Sequence, residues 1–115
     1  MTPQSEDNQT QELIEAAYRQ TLATFEQEVA RGERDPLAEI TIYRRRRRDY
    51  ESLLRIGQLP DEARELAQRL LETHGLAPAS RQEFETEVAR LLVRLYAAFI
   101  DCAERKGSDS TQGNK

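Results

Sequence analysis

Apolar side chains recur at helical spacing over four stretches of the chain, and this pattern predicts four α-helices. The stretches cover about residues 10–31, 36–56, 60–74 and 81–106. Within each, apolar positions recur at intervals of about one or two helical turns, which keeps them on one face of a 3.6-residue helix. In chain order, these positions are Ile14, Tyr18, Leu22, Phe25 and Val29; Leu37, Ile40, Tyr43, Tyr50 and Leu54, with Leu53 and Ile56 beside them; Ala63, Leu66, Ala67, Leu70 and Leu71; and Phe84, Val88, Leu91, Leu95, Ala98 and Cys102.

Start and stop residues bracket these stretches. Asp35 can accept hydrogen bonds from free backbone amides, and Pro36 fits the first position of a helix. Ser80 and Glu83 have the spacing of a capping box, in which each side chain can bind the other's backbone amide. Glycines follow the helices as the residues best able to adopt a left-handed stop conformation; they are Gly32, Gly57, Gly75 and Gly107.

Together these signals predict an all-α fold, a compact bundle of three to four antiparallel helices over residues 10–107. Short connections favour antiparallel neighbours. The fourth helix is apolar over a wide arc, which is typical of a central helix. The polar segments 1–9 and 108–115 have no apolar period and are predicted to be disordered tails.

Composition narrows the class of protein further. The chain has 115 residues, which suits one domain, and 33% of them are charged. No apolar run is long enough for a transmembrane helix, and the N-terminus lacks the apolar core of a signal peptide. Cys102 and His74 are the sole residues of their types, which excludes a disulfide framework and most metal sites and favours the cytoplasm.

No catalytic constellation is visible in the sequence. His74 falls at a predicted helix end and Cys102 falls on an apolar stripe, so a structural role is expected for both. No phosphate-binding or dinucleotide-binding glycine motif is present, and no Glu-x-x-His pairs occur. The sequence therefore predicts a non-enzymatic protein with no cofactor, no metal and no evident small-molecule substrate.

Charge is unevenly distributed along the chain. Residues 1–40 carry nine acidic and three basic side chains, whereas residues 41–60 carry two acidic and six basic ones. Such asymmetry can mark a surface that faces a partner, or two helices of one bundle that attract each other.

Five consecutive arginines on the second helix produce the basic segment; they are Arg44, Arg45, Arg46, Arg47 and Arg48. At 100° per residue they wrap the whole helix, so they cannot share one solvated face. In one interpretation Arg47, with Arg44, lies over the core and pairs with acids of the first helix, while the others are solvated with weak pairs such as Arg45–Asp49.

In the other interpretation the arginine run binds phosphates or an acidic partner, because the guanidinium fork matches phosphate oxygens. Tyr43 and Tyr50 flank the run and could stack or hydrogen-bond there. The candidate partner-binding or phosphate-binding residues are Tyr43, Arg44, Arg45, Arg46, Arg48 and Tyr50.

The third and fourth helices also resemble a helix-turn-helix, although their connection is longer than usual. In that interpretation Arg81 and Gln82, at the start of the fourth helix, are weaker candidates for reading DNA bases, because both residue types bind base edges.

Residues 70–109 resemble an N-terminal helical region of phage-type site-specific integrases, of the tyrosine recombinase family. The matching features include Leu70-Leu71, Gly75-Leu76, Ser80, Phe84, Leu91-Leu92, Arg94, Glu104-Arg105, Gly107 and Asp109. In that family the region lies upstream of the domain that clamps the core DNA site, so the resemblance implies an accessory helical region, or a small protein related to one. The catalytic residues of that family belong to a later domain, so no residue here inherits a catalytic role.

The sequence thus predicts a small cytoplasmic adaptor or regulator that binds a protein partner or forms a dimer. Its long first and fourth helices, with their wide apolar arcs, suit self-association. The alternative is an accessory DNA-binding module of an integrase or recombinase that contacts phosphates through the arginine run.

Overall fold

Four helices make up the part of the chain that the structure describes. A computed structural model describes the backbone of residues 4–113 and the side chains of residues 8–107. The helices are α1 (Gln4–Ala30), α2 (Pro36–Arg55), α3 (Asp61–His74) and α4 (Arg81–Gly113). The described backbone contains no strand. The all-α bundle predicted from the sequence is confirmed.

The two outer helix ends extend further than the sequence pattern predicts. α1 already begins at Gln4, and α4 passes through Gly107 and continues to Gly113. Residues 4–9 and 108–113 of the predicted disordered tails are therefore helical, while 1–3 and 114–115 lie outside the described residues. The segment 4–9 has no glycine or proline to stop a helix, and one glycine inside a helix costs only about 1 kcal/mol.

The inner helix ends follow the sequence signals, except that the predicted capping box is half formed: within residues 8–107 the Glu83 side chain makes no hydrogen bond to the Ser80 N–H. The Asp35 carboxylate accepts a hydrogen bond from the backbone N–H of Leu37 at 3.1 Å, and the Ser80 hydroxyl accepts one from the N–H of Glu83 at 3.1 Å. Gly75 ends α3 in the left-handed conformation, with φ at 63°. These caps satisfy backbone groups that the helix itself leaves unpaired.

α4 is the central helix, and each of the other three packs against it, α2 most extensively. α2 and α3 follow one another along α4 and both run antiparallel to it: Arg44 pairs with Glu104, whereas Glu62 meets Tyr96, further back along α4. α1 runs parallel to α4, because Glu15 reaches Arg94 and Phe25 reaches Phe99. The antiparallel arrangement predicted for all neighbours therefore does not hold between α1 and α4.

An aromatic cluster holds α1, α2 and α4 together. Phe25 of α1 stacks on Phe99 of α4 with ring centroids 4.0 Å apart, and Tyr43 of α2 lies 5.3 Å from Phe99. Further along its length, α4 also buries Val88, Leu91, Leu95 and Ile100. Each fully buried apolar side chain of this size contributes about 1.5–3 kcal/mol to folding, so the core along α4 contributes much of the stability.

Candidate interaction surface

The large apolar side chains that remain exposed are concentrated on α2. Among residues whose side chains the structure describes, these are Leu37, Ile42 and Ile56, with exposed fractions of 42%, 47% and 67%. The apolar stripes of α1 and α4 are instead turned into the bundle. The apolar faces of the first and fourth helices, which were predicted to suit self-association, are therefore buried within the protein.

One continuous strip of α2 faces away from the bundle. We call it the outer stripe; it consists of Ala38, Ile42, Arg45, Asp49, Ser52 and Ile56, all exposed. Ile56 is the C-cap residue of the helix. The sequence pattern placed Ile56 beside the core face and did not single out Ile42. From Ala38 to Ile56 the positions of the stripe step alternately by four and three residues, and this helical spacing is the sequence signal that indicates the stripe.

Some arginines of the run have a partner within the protein, and the others are free. Arg44 pairs with Glu104 of α4 at 3.1 Å, and Arg46 donates to the Tyr96 hydroxyl at 3.1 Å. Arg47 lies 4.0 Å from Glu51 on its own helix.

This pattern corrects the expected pairing with α1. Arg47 is exposed instead of lying over the core, and Arg44 and Arg46 both reach α4 instead of α1. Over the described side chains, no ion pair joins α1 to α2. The uneven charge distribution therefore does not reflect attraction between those two helices.

Arg45 and Asp49 are both exposed and do not pair with each other. The i, i+4 pair expected from the sequence is absent, and neither side chain has another hydrogen-bond or ion-pair partner within residues 8–107. Arg48 is likewise exposed and without a partner there. The outer stripe thus presents one free cation and one free anion, one helical turn apart.

A polar cluster closes the joint between α2 and α3. The Tyr50 hydroxyl donates to Glu62 at 2.5 Å, and the Tyr96 hydroxyl lies 2.9 Å from the same carboxylate oxygen. The Arg46 guanidinium sits 5.8 Å from the centroid of the Tyr96 ring. Burial raises the pKa of Tyr50 and of Tyr96, so both phenols stay neutral donors at ordinary pH.

Tyr43 lies within the bundle, with 5% of its surface exposed, and its hydroxyl donates to Glu39. Arg34 joins Glu39 at 3.2 Å and Glu28 at 2.9 Å, which fastens the α1–α2 connection. Burial, reinforced by the bond to Glu39, raises the pKa of Tyr43 to about 12. Tyr43 is therefore an interior residue, which corrects its predicted role as a partner-binding residue, whereas Tyr50 is half-buried with its hydroxyl bound to Glu62.

Arg81 and Gln82 are exposed at the start of α4, where Arg81 approaches Glu85 at 3.3 Å. His74 is exposed at the end of α3, with Nδ1 3.1 Å from the Leu70 carbonyl oxygen, and Cys102 is half-buried. In the part of the chain that is described, no group of three or more His, Cys, Asp or Glu side chains is placed to hold a metal ion. Nor does any helix there have the length and hydropathy needed to span a membrane.

The side of the bundle between α1 and α3 is open. A groove of about 480 Å³ runs there, with Phe99, Leu66 and Leu70 on its apolar part and uncharged α1 residues such as Thr21 and Thr24 along one edge. α1 therefore covers α4 along one edge only and receives little support from α3.

Comparisons with known proteins found no match: no family model, no curated protein and no solved structure matches the chain.

Proposed function

We propose that this chain is a non-enzymatic helical interaction module, a small adaptor or regulator that binds another protein chain through the outer stripe of α2. The observation that carries the proposal is the placement of Ile42 and Ile56 on that stripe, 47% and 67% exposed, while the apolar faces of the other helices are turned inward. Single exposed apolar residues are common, but here two lie on one face of the same helix, on either side of polar residues, which suits a face that binds another protein chain.

The chemistry of the stripe also favours a protein partner. Between the apolar ends stand Arg45, Asp49 and Ser52, which offer a cation, an anion and a hydroxyl within two helical turns. A protein surface can supply apolar contacts and both signs of charge at once, as protein interfaces do. A uniformly anionic ligand would leave the Asp49 carboxylate facing like charge.

Site-specific photocrosslinking tests this function. A photoreactive phenylalanine analogue in place of Ile42 should crosslink the chain to a protein in its native cells. The same analogue in place of the exposed Arg69, on α3, should not. A chain that crosslinks equally from both positions, or from neither, would contradict a protein-binding role for the outer stripe.

The second candidate is an accessory DNA-binding module, and the exposed arginines favour it. Arg45, Arg48 and Arg55 lie along the solvent side of α2 and have no ion-pair partner among the described side chains. Free guanidiniums in a row can contact successive phosphates. The resemblance of residues 70–109 to an integrase region points in the same direction.

Salt dependence separates the two candidates. The chain is sedimented with a labelled DNA duplex at low and at moderate salt, beside a triple variant with Arg45→Gln, Arg48→Gln and Arg55→Gln. A DNA module would bind at low salt, release steeply as salt rises, and lose binding in the variant. The interaction module should sediment independently of the duplex at both salt concentrations.

A further inference from the structure

We propose that the partner of the outer stripe is a second copy of this chain, lying antiparallel across it about a two-fold axis level with Arg47. The proposal rests on the proposed function, because it uses the same face. It goes further by naming the occupant, its direction and its register.

The spacing of the outer stripe suits a helix–helix seam. Its positions step by 4, 3, 4, 3 and 4 residues along α2. At 100° per residue the six side chains fall within a sector of about 80°, and at 1.5 Å per residue they extend over about 27 Å. Alternating steps of three and four are the pattern by which two helices pack side by side. No other helix of the bundle covers this sector, since all six residues are exposed.

The order of side chains along the stripe is self-complementary when read in the opposite direction. With the two-fold axis level with Arg47, Ala38 lies opposite Ile56 of the second copy, and Ile42 lies opposite Ser52 of the second copy. Each of these contacts occurs twice, because a two-fold interface repeats every pair. The large isoleucines thus meet small side chains, which lets the two helices approach closely.

The charges select this register. Arg45 lies opposite Asp49 of the second copy, and Asp49 lies opposite Arg45 of the second copy. These are the two side chains that leave their expected intramolecular pair unmade and have no other partner within residues 8–107. If one helix slid by one turn relative to the other, Asp49 would lie opposite Asp49 of the second copy, and two carboxylates would meet. Arg44 and Arg48 lie to one side of the stripe, at the rim, where water solvates them.

Other occupants fit the stripe less well. A purely apolar helix would bury the charges of Arg45 and Asp49 without partners, which is costly. An acidic peptide or a phosphate backbone would oppose Asp49 with like charge. A second copy supplies the matching charge at both positions and also matches Ile56 with Ala38.

Sedimentation equilibrium over a wide range of concentration tests the proposal through a pair of charge reversals. The unaltered chain should show a monomer–dimer equilibrium. Arg45→Asp and Asp49→Arg, each studied alone, place like charges opposite one another twice per dimer. Each should weaken association about tenfold, since two attractive charge pairs at an exposed seam become two repulsive ones.

Mixing the two single variants supplies the sharpest readout. The Arg45→Asp variant is acidic at positions 45 and 49, and the Asp49→Arg variant is basic at both. In a mixed dimer opposite charges therefore meet at both positions, so the mixture should dimerise at concentrations where each variant alone does not. Arg69→Asp reverses a charge that is also exposed but lies on α3, away from the stripe, and this variant should associate like the unaltered chain. Circular dichroism of each variant checks that its helices are intact.

Either of two results overturns the proposal: an unaltered chain that stays monomeric at every concentration, or a dimer that both charge reversals leave unchanged. The photocrosslinking experiment then shows which idea has failed. A crosslink from position 42 to a different protein would retain the interaction module and reject the second copy as occupant. No crosslink together with a monomeric chain would reject both.

Discussion

Tyr43 carries a polar hydroxyl into an aromatic core, and its surroundings make the fold sensitive to alkaline pH. Burial is the main cause that raises its pKa to about 12, from an ordinary value of 10.0. Because the folded protein holds the proton more tightly than the unfolded chain, this contribution to stability is fully present below pH 10. It is lost as pH rises through the raised pKa.

We therefore expect the free energy of unfolding to fall between about pH 10 and 12, by up to about 1.4 kcal/mol per pH unit for each such proton. Urea titrations at successive pH values measure the slope. Tyr43→Phe should make the slope shallower, because a phenylalanine has no proton to lose. A slope insensitive to Tyr43→Phe would show that the phenol titrates alike in both states.

At the level of the helix, Gly107 and Gly75 should respond to alanine in opposite ways. Gly107 lies within α4, and a Cβ there would stand 3.3 Å from the Cδ2 of Leu37, a side chain that is 42% exposed and can move outward. Gly107→Ala should therefore stabilise the protein by about 0.5 kcal/mol, through helix propensity. Gly75→Ala should destabilise it by about 1 kcal/mol, because its φ of 63° is strained for alanine.

Urea midpoints of the two variants measure both effects. A Gly107→Ala variant less stable than the unaltered chain would mean that Leu37 is held too firmly to give way.

The joint between α2 and α3 depends on the Tyr96 hydroxyl, which accepts from Arg46 and binds the carboxylate of Glu62. Tyr96→Phe removes both contacts and leaves Glu62 with Tyr50 alone. We expect a loss of about 1–2 kcal/mol of stability, since a hydrogen bond to a charged group is involved. The Tyr18 hydroxyl makes no hydrogen bond within residues 8–107, so Tyr18→Phe should cost much less.

Equilibrium unfolding of both variants provides the comparison. Equal losses from Tyr96→Phe and Tyr18→Phe would contradict a role for this polar joint.

How much of the architecture the sequence could predict depends on whether the deciding interactions are local. Asp35 and Ser80 cap their helices as predicted, because capping involves residues two or three positions apart. Gly107 does not end α4, because a glycine stops a helix only where it adopts the left-handed conformation. The parallel direction of α1 against α4 depends on contacts such as Phe25–Phe99, which periodicity within one helix does not encode.

The candidate surface was harder to predict for the same reason. Five consecutive arginines surround a helix, and only the packing of α4 decides that Arg46 reaches the Tyr96 hydroxyl while Arg45 stays free. The length of an arginine side chain adds to this ambiguity, because its stem can cover apolar surface while its head reaches a distant partner. Ile42 and Ile56 were visible as apolar residues, but their outward direction depends on where α4 lies.

For the whole molecule, the uneven support of the helices predicts uneven local stability. α4 is covered by all three other helices, and α2 contributes the largest share of that contact. α1 touches α4 along one edge, beside the open groove, and its ion pair to α4 joins the exposed side chains of Glu15 and Arg94, 45% and 49% exposed. Exposed pairs of this kind contribute little to stability.

Hydrogen exchange under native conditions should therefore show α1 opening at a lower free energy than α2 and α4, which should exchange close to the global unfolding limit. Phe99→Leu, which removes the ring that stacks on Phe25, should widen this difference by loosening α1 first. Mass spectrometry of peptides from each helix resolves the three rates. If α1 and α4 exchanged at the same rate in both the unaltered chain and the Phe99→Leu variant, the bundle would unfold as one cooperative unit. The packing of α1 on α4 would then be stronger than its one-sided contact implies.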